Sequence, residues 1–137
     1  MRLLLDTHIL VWAVADPSRL EPRISGTIAD AQHELWLSPI SAWEIALLAE
    51  RGRLTLSPDV GRWTEEAVAQ LALREAPLTL SVALESRRLD VPTSDPADRF
   101  IAATARVYDC TLVTADPDLK GVDGLPVLFN RVPRNRR

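Results

Sequence analysis

The sequence predicts an α/β fold with a central, mostly parallel sheet of four to five strands flanked by helices. Three observations carry that expectation. Leu3-Leu4-Leu5 is an unbroken apolar run, too short for a helix and suited to a strand covered on both faces. Similar short runs recur at Leu35-Trp36-Leu37, Leu112-Val113 and Val127-Leu128-Phe129, separated by stretches of helical spacing. Strands alternating with helices imply a parallel sheet joined by right-handed connections. Finally, 137 residues without an internal repeat or low-complexity linker make one domain large enough for a real core.

Taken in order, the first strand runs straight into Asp6. Leu10 to Ala15 reads as a helix broken by Asp16-Pro17-Ser18. Pro22, placed for a first helical turn, and the Ile24/Ile28 spacing predict a second helix to Ala31. Glu34–Ser38 is the second strand. Ser41-Ala42-Trp43-Glu44 opens a helix that Gly52 stops, and Ser57-Pro58-Asp59 opens another, with Val60, Trp63, Ala67 and Leu71 on one stripe. Pro77–Leu80 is expected as a short strand and Ser81–Leu89 as a short helix. Ser94-Asp95-Pro96-Ala97-Asp98 opens a further helix whose inner stripe is Phe100, Ile101, Thr104 and Val107. Thr111–Thr114 is a strand ended by Ala115-Asp116-Pro117, and Val127–Phe129 is the last.

Composition narrows the function classes. Sixteen Lys and Arg against 19 Asp and Glu give a net charge of −3, unlike a protein dominated by nucleic-acid charge. A nuclease that uses acids to hold metal remains compatible. Cys110 is the single cysteine, so there is no internal disulfide and no cysteine zinc site; it reads as buried and inert. A reduced compartment, no secretory signal and no apolar stretch of membrane-spanning length lead to the expectation of a soluble cytoplasmic domain.

The chemistry lies in four acids. Asp6 follows the first strand, Glu44 opens the helix after the second, Asp98 lies in the first turn of a later helix, and Asp116 follows the strand Thr111–Thr114. In a parallel sheet, strand carboxyl ends and the amino ends of the following helices share one edge, where ligands bind. Four carboxylates there would suit a hard divalent cation. Each acid also has a structural reading. Ser41 and Glu44 match a capping box, Asp95 and Asp98 a helix cap with its third-position acid, and Asp116-Pro117 a turn opener. Asp6 is the hardest to explain structurally, because an acid directly after Leu3-Leu4-Leu5 gains nothing from the core, and helix amino ends favour the ionised carboxylates that a metal needs.

The ordered set Leu4-Leu5-Asp6-Thr7-His8, Ser41-Ala42-Trp43-Glu44-Ile45, Asp95-Pro96-Ala97-Asp98-Arg99 and Val113-Thr114-Ala115-Asp116 resembles a PIN-domain ribonuclease, of the kind found as the VapC toxin of bacterial toxin–antitoxin pairs. The resemblance covers nearly the whole chain. It implies a PIN-like three-layer sandwich over residues 1–130, followed by a basic tail at 131–137. It further implies a Mg²⁺- or Mn²⁺-dependent endoribonuclease that hydrolyses RNA phosphodiester bonds. Asp6, Glu44, Asp98 and Asp116 would form its acidic site, with Thr7 and Thr114 supporting them through hydroxyls. One or two ions there would make hydroxide available near neutral pH. A homodimer is implied too, as is an antitoxin whose C-terminal segment blocks the site. An acidic pocket suits an arginine from such a partner.

Arg99 reads either as a phosphate contact for RNA or as solvent-exposed or one half of an internal ion pair. His8 at a helix start reads first as a packing residue and second as a substrate contact. Trp12, Trp36, Trp43 and Trp63 read as core or interface packing rather than a base-stacking platform, and the apolar run Ile9–Trp12 with Val14 as core or partner surface. The tail Arg131-Val132-Pro133-Arg134-Asn135-Arg136-Arg137 reads first as solvated and second as a guide for RNA. The competing function is a non-catalytic protein-binding or regulatory module on the same fold. A receiver-like phosphoryl-transfer domain is disfavoured, because Lys120 is the single lysine and lies in a polar turn.

Overall fold

The computed structural model describes residues 1–57 and 59–132. It contains five strands, β1 (Arg2–Leu5), β2 (Glu34–Leu37), β3 (Arg74–Glu75), β4 (Thr111–Thr114) and β5 (Val127–Phe129). Six helices accompany them: α1 (Thr7–Ala15), α2 (Pro22–Ala29), α3 (Pro39–Glu50), α4 (Val60–Gln70), α5 (Leu80–Arg88) and α6 (Pro96–Val107). The strand order is β3-β2-β1-β4-β5 and every pairing is parallel. None of the helices among the described residues is long and apolar enough to cross a membrane.

The central position of β1 explains its unbroken leucines. Leu3, Leu4 and Leu5 are each completely buried. Side chains alternate across a strand. Leu3 and Leu5 therefore join the core formed with Ile9 and Leu10 of α1, Ile24 of α2, Ile45 of α3 and Trp63 of α4. Leu4 joins the opposite core with Val82 of α5, Ile101 of α6 and Leu112 of β4. The molecule is thus three-layered, and neighbouring strands are held by the registers Leu3↔Leu35, Leu4↔Leu112 and Leu5↔Val113.

Several boundaries differ from expectation. Helix α1 begins at Thr7, three residues before Leu10, because Asp6 accepts the Thr7 N–H as soon as the strand ends. Its Ile9, Leu10 and Val11 turn inward and Trp12 and Val14 are partly buried, so the run mostly feeds the core. Helix α2 stops at Ala29, two residues short of Ala31. Helix α3 begins at Pro39, with Ser38 as its cap accepting from Ile40 N at 3.1 Å. The Ser41–Glu44 capping box is therefore not formed: Ser41 is buried and Glu44 lies in the second turn, not the first. Gly52, at φ +70°, ends this helix region.

The strand expected at Pro77–Leu80 is instead Arg74–Glu75, at the sheet edge. A short, charged edge strand resists pairing with other chains. Thr79 caps α5 by accepting from Val82 N, and Leu80 is the exposed first residue of that helix. In α6, Ala97 and Ile101 to Ala105 are buried because the sheet, α3 and α5 all pack on it, while Val107 of the expected inner stripe faces solvent. Trp63 is buried, Trp12 and Trp36 are partly buried, and Trp43 is exposed. Cys110 is buried. Pro58 and tail residues 133–137, with the basic Arg134, Arg136 and Arg137, lie outside the described residues.

Candidate metal centre

Helix α1 and β4 fix the middle of the site. Asp6 leaves the end of β1 in extended backbone and caps α1 with Oδ1, which accepts from Thr7 N at 2.9 Å. Its other oxygen, Oδ2, accepts from the Thr114 hydroxyl at 2.6 Å. Thr114 is completely buried at the end of β4, and its oxygen accepts the Asp116 N–H at 3.0 Å. One hydroxyl therefore ties Asp6 to the backbone of Asp116. Asp116 Oδ1 accepts from Asp118 N at 2.9 Å and so also opens a short turn. The turn-opening and cleft-lining roles coexist.

Glu44 arrives from α3. It accepts a hydrogen bond from the Thr7 hydroxyl. Thr7 Oγ1 also lies 3.1 Å from Ser41 Oγ. A hydroxyl carries one proton, so with Thr7 donating to Glu44, the Ser41 hydroxyl donates to Thr7. The buried Ser41 that looked like a cap is a support for the acid one turn on. Asp98 sits at the third position of α6. Asp95 caps that helix, accepting from Ala97 N at 3.0 Å.

These groups line one cleft of about 300 Å³, formed by Asp6, His8, Glu44, Asp95, Asp98, Ala115 and Asp116. Within it, one carboxylate oxygen each from Glu44, Asp95 and Asp98 lies within 4.8 Å of the others, close enough to share an ion. All four acids singled out in the sequence line the cleft, and Asp95 joins them. The sequence pattern marks Asp95 only as a helix cap. The missed signal is the Asp-x-x-Asp spacing, which puts both carboxylates on one face of the first turn.

The electrostatics match such crowding. Asp98 is pushed up to about 7, first by burial and then by repulsion from Asp95, Asp6, Asp116 and Glu44. Burial also raises Asp6, against the opposing hydrogen bonds from Thr114 and Thr7. Burial raises Glu44 as well, partly offset by Thr7 and reinforced by Asp6 and Asp95. An all-carboxylate donor set with several groups resisting ionisation fits a hard divalent cation such as Mg²⁺ or Mn²⁺, which would relieve the repulsion.

Arg99 is engaged within the fold. Its guanidinium donates to the carbonyls of Ser86 at 2.8 Å, Leu89 at 2.7 Å and Thr93 at 3.2 Å. These bonds fasten the end of α5 to the start of α6. Lys120 lies away from the cleft, its ammonium 4.4 Å from the Phe129 ring centre.

Comparison with known proteins agrees with this architecture. The PIN domain family matches residues 3–125. Ribonuclease VapC22 of Mycobacterium tuberculosis is 39% identical over 121 residues, covering 86% of this chain and 89% of that protein. Among solved structures, VapBC2 from Rickettsia felis bound to a promoter DNA fragment aligns with a TM-score of 0.69 at 17% identity, covering 95% of this chain and 99% of that one. FitAcB from Neisseria gonorrhoeae aligns at 0.61 with 23% identity, covering 93% and 96%. These distant structures share the fold. With a matched span that runs from β1 past β4 and takes in every acid of the cleft, the chain belongs to the PIN-domain family.

Proposed function

We propose that this protein is a Mg²⁺- or Mn²⁺-dependent endoribonuclease, the toxin of a toxin–antitoxin pair. The observation that carries the reading is the gathering of five carboxylates, from four separate parts of the chain, into one cleft at the carboxyl edge of the sheet. The similarity to ribonuclease VapC22 supports RNA as the substrate class. The non-catalytic alternative needs these acids to stay apart, and they do not.

Asp6, Glu44, Asp98 and Asp116 are the residues that would hold the ion: Glu44 and Asp98, with Asp95, bring carboxylate oxygens close enough to share it, and Asp6 and Asp116 line the same cleft. A bound divalent ion supplies Lewis acidity to the phosphodiester and a readily ionised water. The chain's own part is to keep the carboxylates aimed. Thr114 orients Asp6 and the Asp116 backbone, and Thr7 with Ser41 orients Glu44. Hydrolysis joins a water oxygen to phosphorus and breaks the phosphorus bond to the leaving ribose oxygen, which takes up a proton.

The partners follow from the same reading. Similar folds occur in VapBC complexes, and a cognate antitoxin that places an arginine among these carboxylates would silence the site. A homodimer in the cytoplasm is the proposed resting assembly, with residues 131–137 as a basic tail outside the domain. The test is cleavage of RNA with Mg²⁺, with EDTA, and by the Asp6→Asn protein. Cutting only in the first case is expected; equal cutting in all three overturns the assignment.

A further inference from the structure

We propose that the outer face of α1 is the substrate path, with a nucleobase of single-stranded RNA stacking on His8 at the mouth of the acid cleft. This rests on the endoribonuclease reading and adds a positioning residue to it.

The cleft poses a problem for its own substrate. Five of its seven lining residues are acids, and Ala115 offers only a methyl group. Phosphates are repelled by the flank that carries Asp95 and Asp98. His8 is the one lining side chain that can stack on a base without adding negative charge, and it is exposed.

His8 does not stand alone. Its ring centre lies 5.8 Å from that of Trp12, one turn along α1 and tilted by 50°. The Arg19 guanidinium lies 5.1 Å from the Trp12 ring centre. An imidazole, an indole and a guanidinium thus lead outward from the cleft in that order. Aromatic faces with adjacent arginines bind single strands with little sequence preference.

The row is also anchored to the site. The Arg19 carbonyl accepts from Asn130 Nδ2 at 3.1 Å, and Asn130 N donates to the Thr114 carbonyl at 2.8 Å. Asn130 is completely buried, so Arg19 is held one residue's reach from the threonine that orients Asp6. Exposed Arg131 follows directly, adding a cation at this edge. Core packing accounts for Trp12, which contacts the larger core. It does not account for an exposed imidazole facing the acids.

The experiment uses a short single-stranded RNA carrying 2-aminopurine, with Ca²⁺ replacing Mg²⁺ to neutralise the acids. The wild-type protein is expected to quench the probe. His8→Ala should weaken binding roughly tenfold, within the range for loss of one base–aromatic stack, and His8→Phe should restore it. Arg19→Ala should weaken binding less and flatten its salt dependence. In Mg²⁺-supported cleavage, the His8→Ala loss should fall mainly on KM. Absence of quenching by the wild type, or unchanged binding by His8→Ala with an unaltered melting temperature, overturns the path. So does a His8→Ala defect confined to antitoxin binding, which would make this face a protein surface. RNA that is bound and quenched but never cut leaves the path standing and refutes the endoribonuclease reading.

Discussion

Thr114 is the residue on which the geometry of the acids turns. Its hydroxyl donates to Asp6 and accepts from the Asp116 backbone, all within a fully buried strand end. Thr114→Val keeps the shape and removes both bonds. It should destabilise the protein by about 1–3 kcal/mol, the cost of leaving buried polar groups unpaired, and cleavage should fall with it. Urea unfolding and RNA cleavage check this, with Thr114→Ser expected to recover much of both. Asp6→Asn should behave differently. Burial already raises the Asp6 pKa, so replacing the carboxylate by an amide removes an ionisation that folding resists. Metal-free stability at pH 8 should be retained, while Mg²⁺-dependent cleavage should fall by about two orders of magnitude or more. A variant that unfolds would assign Asp6 to the architecture, and one that still cuts would remove it from the chemistry. Asp6 was legible in the sequence because an acid directly after a buried apolar strand gains nothing from the core, although it also caps α1. Asp95 was not, because a cap and a cleft acid have the same residue type at the same place.

At the scale of elements, legibility followed apolar runs. β1 and β4 were readable because their residues are mostly buried, and β2 and the edge strand β5 because they still carry apolar runs, though these are partly exposed. The edge strand β3 was not, since Arg74 and Glu75 are exposed and carry no apolar signal. The start of α3 differs from expectation because Ser41 with Glu44 imitates a capping box, while the hydroxyl that accepts the backbone bond is that of Ser38, just before Pro39. That cap is testable. Ser38→Ala removes the bond to Ile40 N and should cost about 1 kcal/mol, a drop in melting temperature on the order of 3 °C for a domain of this size. The junction of α5 with α6 offers a sharper contrast. Arg99 spans it with three hydrogen bonds to carbonyls that a lysine cannot make together. If the role is this clamp, Arg99→Lys lowers the melting temperature despite its conserved charge. Unchanged stability with weakened RNA binding would return Arg99 to the phosphate-contact role.

For the whole molecule, the gathering of acids makes pH and metal act on one balance. Asp98 has a folded pKa of about 7 against an ordinary value of 3.8. Between those values the folded state holds a proton that the unfolded state has released. Stability from this group is therefore complete below the lower value and is lost as pH rises through the upper one. Burial of Asp6 and Glu44 shifts them in the same direction. Without metal, the contribution of the cleft should make the protein less stable at pH 8 than at pH 5.5. A divalent ion reverses the slope, because it binds the ionised carboxylates and must displace any proton on them. Its apparent affinity should rise about tenfold per pH unit for each proton displaced, and level off above pH 7. Since a ligand stabilises the folded state according to its concentration relative to Kd, millimolar Mg²⁺ should raise the melting temperature strongly at pH 8 and little at pH 5.5. The Asp98→Asn protein should lose most of that difference. Thermal unfolding at the two pH values, with Mg²⁺ and with EDTA, measures all of these terms. An increment from Mg²⁺ equal at both pH values would mean that the ion binds elsewhere, and the five acids would then be a cost of the fold that no cation offsets.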